Sequence, residues 1–172
     1  ENATGFIKYY KDKKYAFVGL LPKEHLTLEE YVLSLTGESI QRLLNQSQET
    51  TVYTGIPKFE SEYSIEMKEI LTTMGMTDVF DDEKADLSGI GVSDAGKLFI
   101  NRVLHKTYIS VAEQGTKAGA VTIVEVNDCA GVLMEEPKNV ILNRPFVYML
   151  IDCETNQPFF IGNVSDFSKI IE

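Results

Sequence analysis

Residues 111–126 read VAEQGTKAGAVTIVEV. From Thr116 onward the alternate positions are Thr116, Ala118, Ala120, Thr122, Val124 and Val126, none of them charged. The intervening set is Lys117, Gly119, Val121, Ile123 and Glu125, and it carries both charges. Strand side chains point alternately to opposite faces, so as a strand this stretch offers one smooth, uncharged face to a core. Gly115 and Gly119 loosen the same stretch, and Asn127-Asp128 ends it in a polar run. The segment is able to be strand or loop, and that double competence is the first functional clue.

Around it the chain alternates between strand and short-helix signals. Residues 4–21 read as two aromatic-rich strands joined at Lys11-Asp12-Lys13-Lys14. Thr27-Leu28-Glu29-Glu30 spells a capping box that opens a short amphipathic helix, and residues 38–44 predict a second helix. Residues 50–63 are strand-like, with Pro57 demanding a bend or an edge position. Ser64 reads as the cap of a helix carrying Ile65, Met67, Ile70 and Leu71 and stopping at Gly75. The charged run Asp81-Asp82-Glu83-Lys84 reads as a solvated turn. Residues 98–114 predict one long strand, residues 127–139 an irregular loop, and residues 146–152 with 158–164 a final hairpin. No regular strand–helix alternation points to a doubly wound sheet. The fold class is α+β, strand-rich, with mixed but mostly antiparallel sheets and short helices.

At 172 residues the chain has the length of one ordinary domain and can bury a sizeable core. Its net charge of −10 argues against nucleic acid or an anionic membrane as partner. No apolar run is long enough to span a bilayer as a helix. Two cysteines, Cys129 and Cys153, make no disulfide framework, and both are expected to be free. His25 follows a turn and reads as a surface residue, while His105 sits inside a strand. The sequence contains no HExxH, CxxC, GxSxG or glycine-rich phosphate loop. No enzyme activity, cofactor or metal is therefore expected.

Several stretches share a second property, their collinear order. They are Ile56-Pro57-Lys58-Phe59, Leu71 with Met74-Gly75-Met76, residues 85–90 (ADLSGI), and Val103-Leu104-His105-Lys106. After them come Glu113-Gln114-Gly115-Thr116-Lys117-Ala118-Gly119-Ala120 and Asn143-Arg144-Pro145-Phe146, followed by Phe160-Ile161-Gly162-Asn163-Val164. In this order they resemble the C-terminal half of the serpin (serine protease inhibitor) family. The resemblance implies that residues 1–172 are the C-terminal portion of a serpin domain, with residues 113–139 forming its hinge and reactive-centre loop. A fragment or a truncated chain is the expectation.

The resemblance also implies a mechanism in which a target serine protease cuts the exposed loop. The cleaved loop then inserts into the main sheet before the acyl-enzyme hydrolyses. On this reading Glu113, Gly115, Thr116, Ala118 and Ala120 form the hinge. Thr116, Ala118, Ala120 and Thr122 would face inward, and Lys117 would face out. Lys58 is implied to pair with Glu113 where insertion begins. His105 corresponds to a latch beneath the opening region, its own partner expected on a strand of the missing N-terminal half.

Counting Glu113 as first, the seventeenth residue is Cys129, so Cys129–Ala130 is the expected scissile bond. A small residue there suits elastase-like or subtilisin-like proteases. Leu133 and Met134 are the alternative bait, because the stretch up to Asn143 is longer than is usual. The expected partners are a target serine protease, the missing N-terminal half and, for the fragment, a second copy in a homo-dimer. The expected location is secreted or cell-surface. The alternative function is a non-inhibitory serpin acting as a binding or carrier module, although such relatives usually carry bulky or charged hinge residues.

Overall fold

A computed structural model describes residues 2–94, 96–113, 115–116, 137–166 and 170–171. The strands are β1 (Ala3–Tyr9), β2 (Tyr15–Pro22), β3 (Val52–Gly55), β4 (Lys58–Glu66), β5 (Leu104–Ala112), β6 (Gly115–Thr116), β7 (Lys138–Ile141), β8 (Phe146–Asp152), β9 (Gln157–Val164) and β10 (Ile170–Ile171). The helices are α1 (Leu28–Ser34), α2 (Gly37–Asn45) and α3 (Lys68–Thr73), with a 3-10 turn at Asp78–Phe80. This is the α+β, strand-rich class that the sequence predicts. The chain divides into two compact units, residues 1–60 with 109–172 and residues 61–108.

The first unit is built on an antiparallel sheet of order β1-β2-β8-β9. Strands β2 and β8 are central and buried on both faces, which is why both read as unbroken apolar runs. On one face Phe6, Phe17, Phe146, Tyr148 and Val164 join Phe59 of β4 and Ile109 and Val111 of β5 in a single core. Four rings cross the sheet diagonally, one from each strand. Phe6 stacks on Phe17 at 6.3 Å, Phe17 on Tyr148 at 6.1 Å, and Tyr148 on Phe160 at 6.1 Å. Offset ring pairs at such spacings add to the gain from burial alone. The opposite face, with Ala16, Val18, Leu20, Val147, Met149 and Ile151, packs with Tyr31 of α1 and Ile40 and Leu44 of α2.

Local chemistry starts these helices where the sequence places them. Thr27 Oγ1 accepts the Glu30 amide at 3.2 Å, and Glu30 Oε2 accepts the Thr27 amide at 2.9 Å, closing the capping box. Thr36 and Ser39 close a second box at the start of α2. The turn between β8 and β9 is tied to α2. Gln41 Nε2 donates to the Asn156 carbonyl at 3.0 Å, and Asn156 Nδ2 donates to Asn45 Oδ1 at 3.0 Å. Strands β3 and β7 form a parallel pair, Val52 facing Lys138 and Gly55 facing Ile141. The start of β7 falls where an irregular loop is expected from sequence. Its isolated Val140 is the one side chain of the strand that is buried, so the local pattern is too short to announce it. Cys153 is free, half-buried and in the turn just after β8 rather than within a strand.

In the second unit two expectations change. Ser64 and Ile65 belong to β4, and α3 starts at Lys68 with no side-chain cap. The strand holds its extended course to Glu66, whose carboxylate meets Arg102 Nε at 3.2 Å, and the Met67 amide donates to the Val103 carbonyl at 2.8 Å. Pairing with a distant segment thus overrides the local cap signal. The helix does stop at Gly75. Its φ of +101° suits glycine, and the bonds Gly75 N to Thr72 O and Met76 N to Leu71 O form a Schellman closure. Residues 98–103 do not extend β5. Ile100 N bonds to Val79 O at 2.9 Å and Lys97 Nζ to Glu83 O at 2.8 Å, which holds this stretch against the Asp81 turn instead. Among the described residues of this unit Ala85 alone is buried, while Met74, Ile90 and Val92 are exposed.

Candidate functional site

The second sheet has the order β10-β4-β5-β6. Strand β5 alternates Ile109 and Val111 into the core, and Ala112 leads into a turn at Glu113. The chain then doubles back. Thr116 pairs with Val111 and Gly115 with Ala112 in antiparallel register, so β6 begins a hairpin along the edge of β5. Gly115 and Thr116, hinge residues on the sequence reading, are in this way already aligned with the sheet.

Lys58 opens β4, directly before Phe59, which is 1% exposed and packs at 5.8 Å from Phe146 and 5.1 Å from Tyr148. Successive strand residues face opposite ways, so anchoring Phe59 in the core turns Lys58 away from it. Its Nζ lies 3.2 Å from Glu113 Oε1. The lysine side chain is 35% exposed and the glutamate 81%, so the ion pair is open to water and weakened by salt. A pair in this setting contributes on the order of 0.2–1 kcal/mol, enough to bias a turn and too little to lock it. Close by, Ser110 Oγ donates to Glu60 Oε1 at 3.2 Å, a second link between β4 and β5. No sequence signal marks that contact, since the two residues are far apart in the chain and each is common on a strand surface.

The remaining residues singled out from sequence fall elsewhere. His105 is exposed on β5 and, among the described residues, makes no side-chain hydrogen bond or ion pair. His25 is exposed. Ala118, Ala120, Thr122, Cys129, Ala130, Leu133 and Met134 lie outside the described residues. Among the described residues no group of three His, Cys, Asp or Glu side chains is placed to hold a metal, and no helix is long and apolar enough to cross a membrane.

Chemically, an exposed ion pair at the mouth of a hairpin can bias the course of a backbone segment. The profile of the family described as serpin (serine protease inhibitor) matches residues 6–167. The chain is similar to intracellular coagulation inhibitor 2 of Tachypleus tridentatus, 33% identical over 160 residues, which cover 91% of this chain and 37% of that protein. It is similar in structure to the thermophilic serpin tengpin in its native state, with a TM-score of 0.80 and 48% identity, covering 97% of this chain and 43% of tengpin. Tengpin in its latent state matches at a TM-score of 0.76 and 41% identity, covering 96% of this chain and 43% of that one. The chain thus spans well under half the length of these relatives. With the family profile matching residues 6–167, the chain belongs to the serpin family of serine protease inhibitors.

Proposed function

We propose that the protein to which this chain contributes inhibits serine-type endopeptidases by suicide bait, through the loop at residues 113–139. The observation that carries this reading is the β5–β6 hairpin, in which Gly115 and Thr116 already run antiparallel to β5. Continuing that register through Ala118, Ala120 and Thr122 would place an uncharged set on one face. Insertion exchanges solvated loop backbone for ladder hydrogen bonds and buries that face, which supplies the driving force. That a serpin 48% identical has structures in both a native and a latent state supports a conformational change in this relative as well.

The scissile bond on this reading is Cys129–Ala130, with elastase-like or subtilisin-like proteases as targets. No Arg or Lys occurs between Lys117 and Lys138, which disfavours trypsin-like enzymes. Among the described residues no strand lies beyond β6 in this sheet, so the isolated chain should not trap a protease. Of β5, among the described residues, only Val111 and Ala112 pair with β6, so the rest of that edge favours a homo-dimer of the isolated chain. Secretion does not follow from family membership, since one relative is named as intracellular.

The test is mass spectrometry of the full-length protein after exposure to a protease panel. A covalent complex with an elastase-like enzyme, with the cut after Cys129, is the expected result. Cleavage of the loop by every protease with no covalent complex would sink the proposal.

A further inference from the structure

Strand β10 pairs antiparallel with the start of β4, Ile170 opposite Phe59 and Ile171 opposite Lys58. It thereby covers the outer edge of β4 at the two residues that matter most to the hairpin. Without it that edge would leave the amide and carbonyl of one of these two residues unpaired, since consecutive residues of an antiparallel pair alternate in bonding across it. From its other side β4 is held by β5. The Phe59 ring is fixed in the aromatic core, and the Lys58 ammonium reaches Glu113 at 3.2 Å. A long lysine side chain loses rotamer freedom on pairing, so a backbone already fixed at Lys58 makes the pair cheaper to form.

We propose that Ile170–Ile171 is a positioning strand for Lys58. Its ladder bonds to β4 hold the lysine backbone where the ammonium latches Glu113, coupling a segment far along the chain to the opening of the β5–β6 hairpin. This assignment concerns the hairpin itself and stands or falls apart from protease inhibition.

Hydrogen exchange on the chain, with the variants Ile170→Pro, Ile171→Pro, Lys58→Gln and each proline variant combined with Lys58→Gln, tests it. Proline removes an amide donor from the ladder, and only one of the two positions in an antiparallel pairing donates to β4, so one proline variant should dominate. That variant should speed exchange at residues 58–60. It should also speed exchange at Ala112, Glu113 and Gly115 by about two- to fivefold, the range set by a surface ion pair. Lys58→Gln should reproduce the effect at Ala112, Glu113 and Gly115 alone, and the combined variant should add nothing further there. The proposal is overturned if residues 58–60 open while the hairpin keeps its protection. It is equally overturned if the two changes act additively at the hairpin, because β10 would then be a structural edge with no hold on the latch.

Discussion

Tyr148 packs against Gly162, its register partner on β9, and a Cβ added to that glycine would meet the ring carbon Cζ at 2.5 Å. On its other side Tyr148 faces Gly19 of β2, where an added Cβ would meet the Phe6 ring at 2.9 Å. Two glycines therefore flank the tyrosine across three strands, and their missing side chains make room for the ring ladder that fills the core. Gly162→Ala should cost about 1–3 kcal/mol, the usual penalty for overfilling a packed site. Urea denaturation of the two chains measures it, and an unchanged midpoint would show that the ring swings aside freely.

Phe59 joins the second sheet to this ladder, with Phe146 at 5.8 Å and Tyr148 at 5.1 Å. Phe59→Ala should lose about 3–5 kcal/mol by removing buried surface and leaving a cavity. Phe59→Leu should recover much of that loss. Thermal melts of the three chains give the order, and equal losses for alanine and leucine would argue against a cavity as the cause.

Asp152 ends β8 as an acceptor for the turn that follows. The Thr155 amide, then the Thr155 hydroxyl and the Glu154 amide, hold its carboxyl below the ordinary aspartate value. A pKa lowered on folding adds stability that is present above the unfolded value, near about 3.9, and is lost as pH falls through the folded one. Asp152→Asn keeps an acceptor oxygen and gives up the charge. Its stability should fall short of the parent chain at neutral pH, and the two should converge as pH drops below about 4. Denaturation midpoints across that pH range check this, and parallel curves would assign the acid loss to other carboxylates.

Thr27 and Glu30 hold the first turn of α1 by two reciprocal bonds, at 3.2 and 2.9 Å. Thr27→Ala should cost about 0.5–2 kcal/mol, and Glu30→Gln, which keeps an acceptor, should cost less. Chemical denaturation provides the comparison. A larger loss for Glu30→Gln than for Thr27→Ala would place the stabilisation in the carboxylate charge at the helix start.

For the full-length protein, the proposed insertion makes Ala118 an inward position with no room for charge. Ala118→Arg should leave loop cleavage intact and cut the yield of covalent complex with an elastase-like protease at least about tenfold, the effect of roughly 1.4 kcal/mol on the competing rates. Gel analysis of complex against cleaved product reads this partition directly. An unaltered yield would show that residue 118 does not enter a core.

The legible part of this protein is the part written at short range. Aromatic-rich strand patterns marked β1 and β2 within residues 4–21, and the apolar runs at 146–152 and 158–164 marked β8 and β9 as a closing hairpin. Thr27 and Glu30 spelled a helix start, Gly75 a helix stop, and the ordered motifs from Ile56 to Val164 named the family. These signals survive in sequence because each depends on neighbours within a turn or two of chain. Tertiary structure alone decided the rest. It kept Ser64 in β4 through contacts with residues 102 and 103, delayed the start of β5 to Leu104 by tying residues 97 and 100 elsewhere, and built β6 and β10 from two residues each. The Lys58–Glu113 contact was suggested by resemblance, but its 3.2 Å distance exists only because Phe59 is buried and the chain doubles back after Ala112. Pairings of this kind join residues far apart in the chain, and a two-residue strand has no periodicity of its own to announce them.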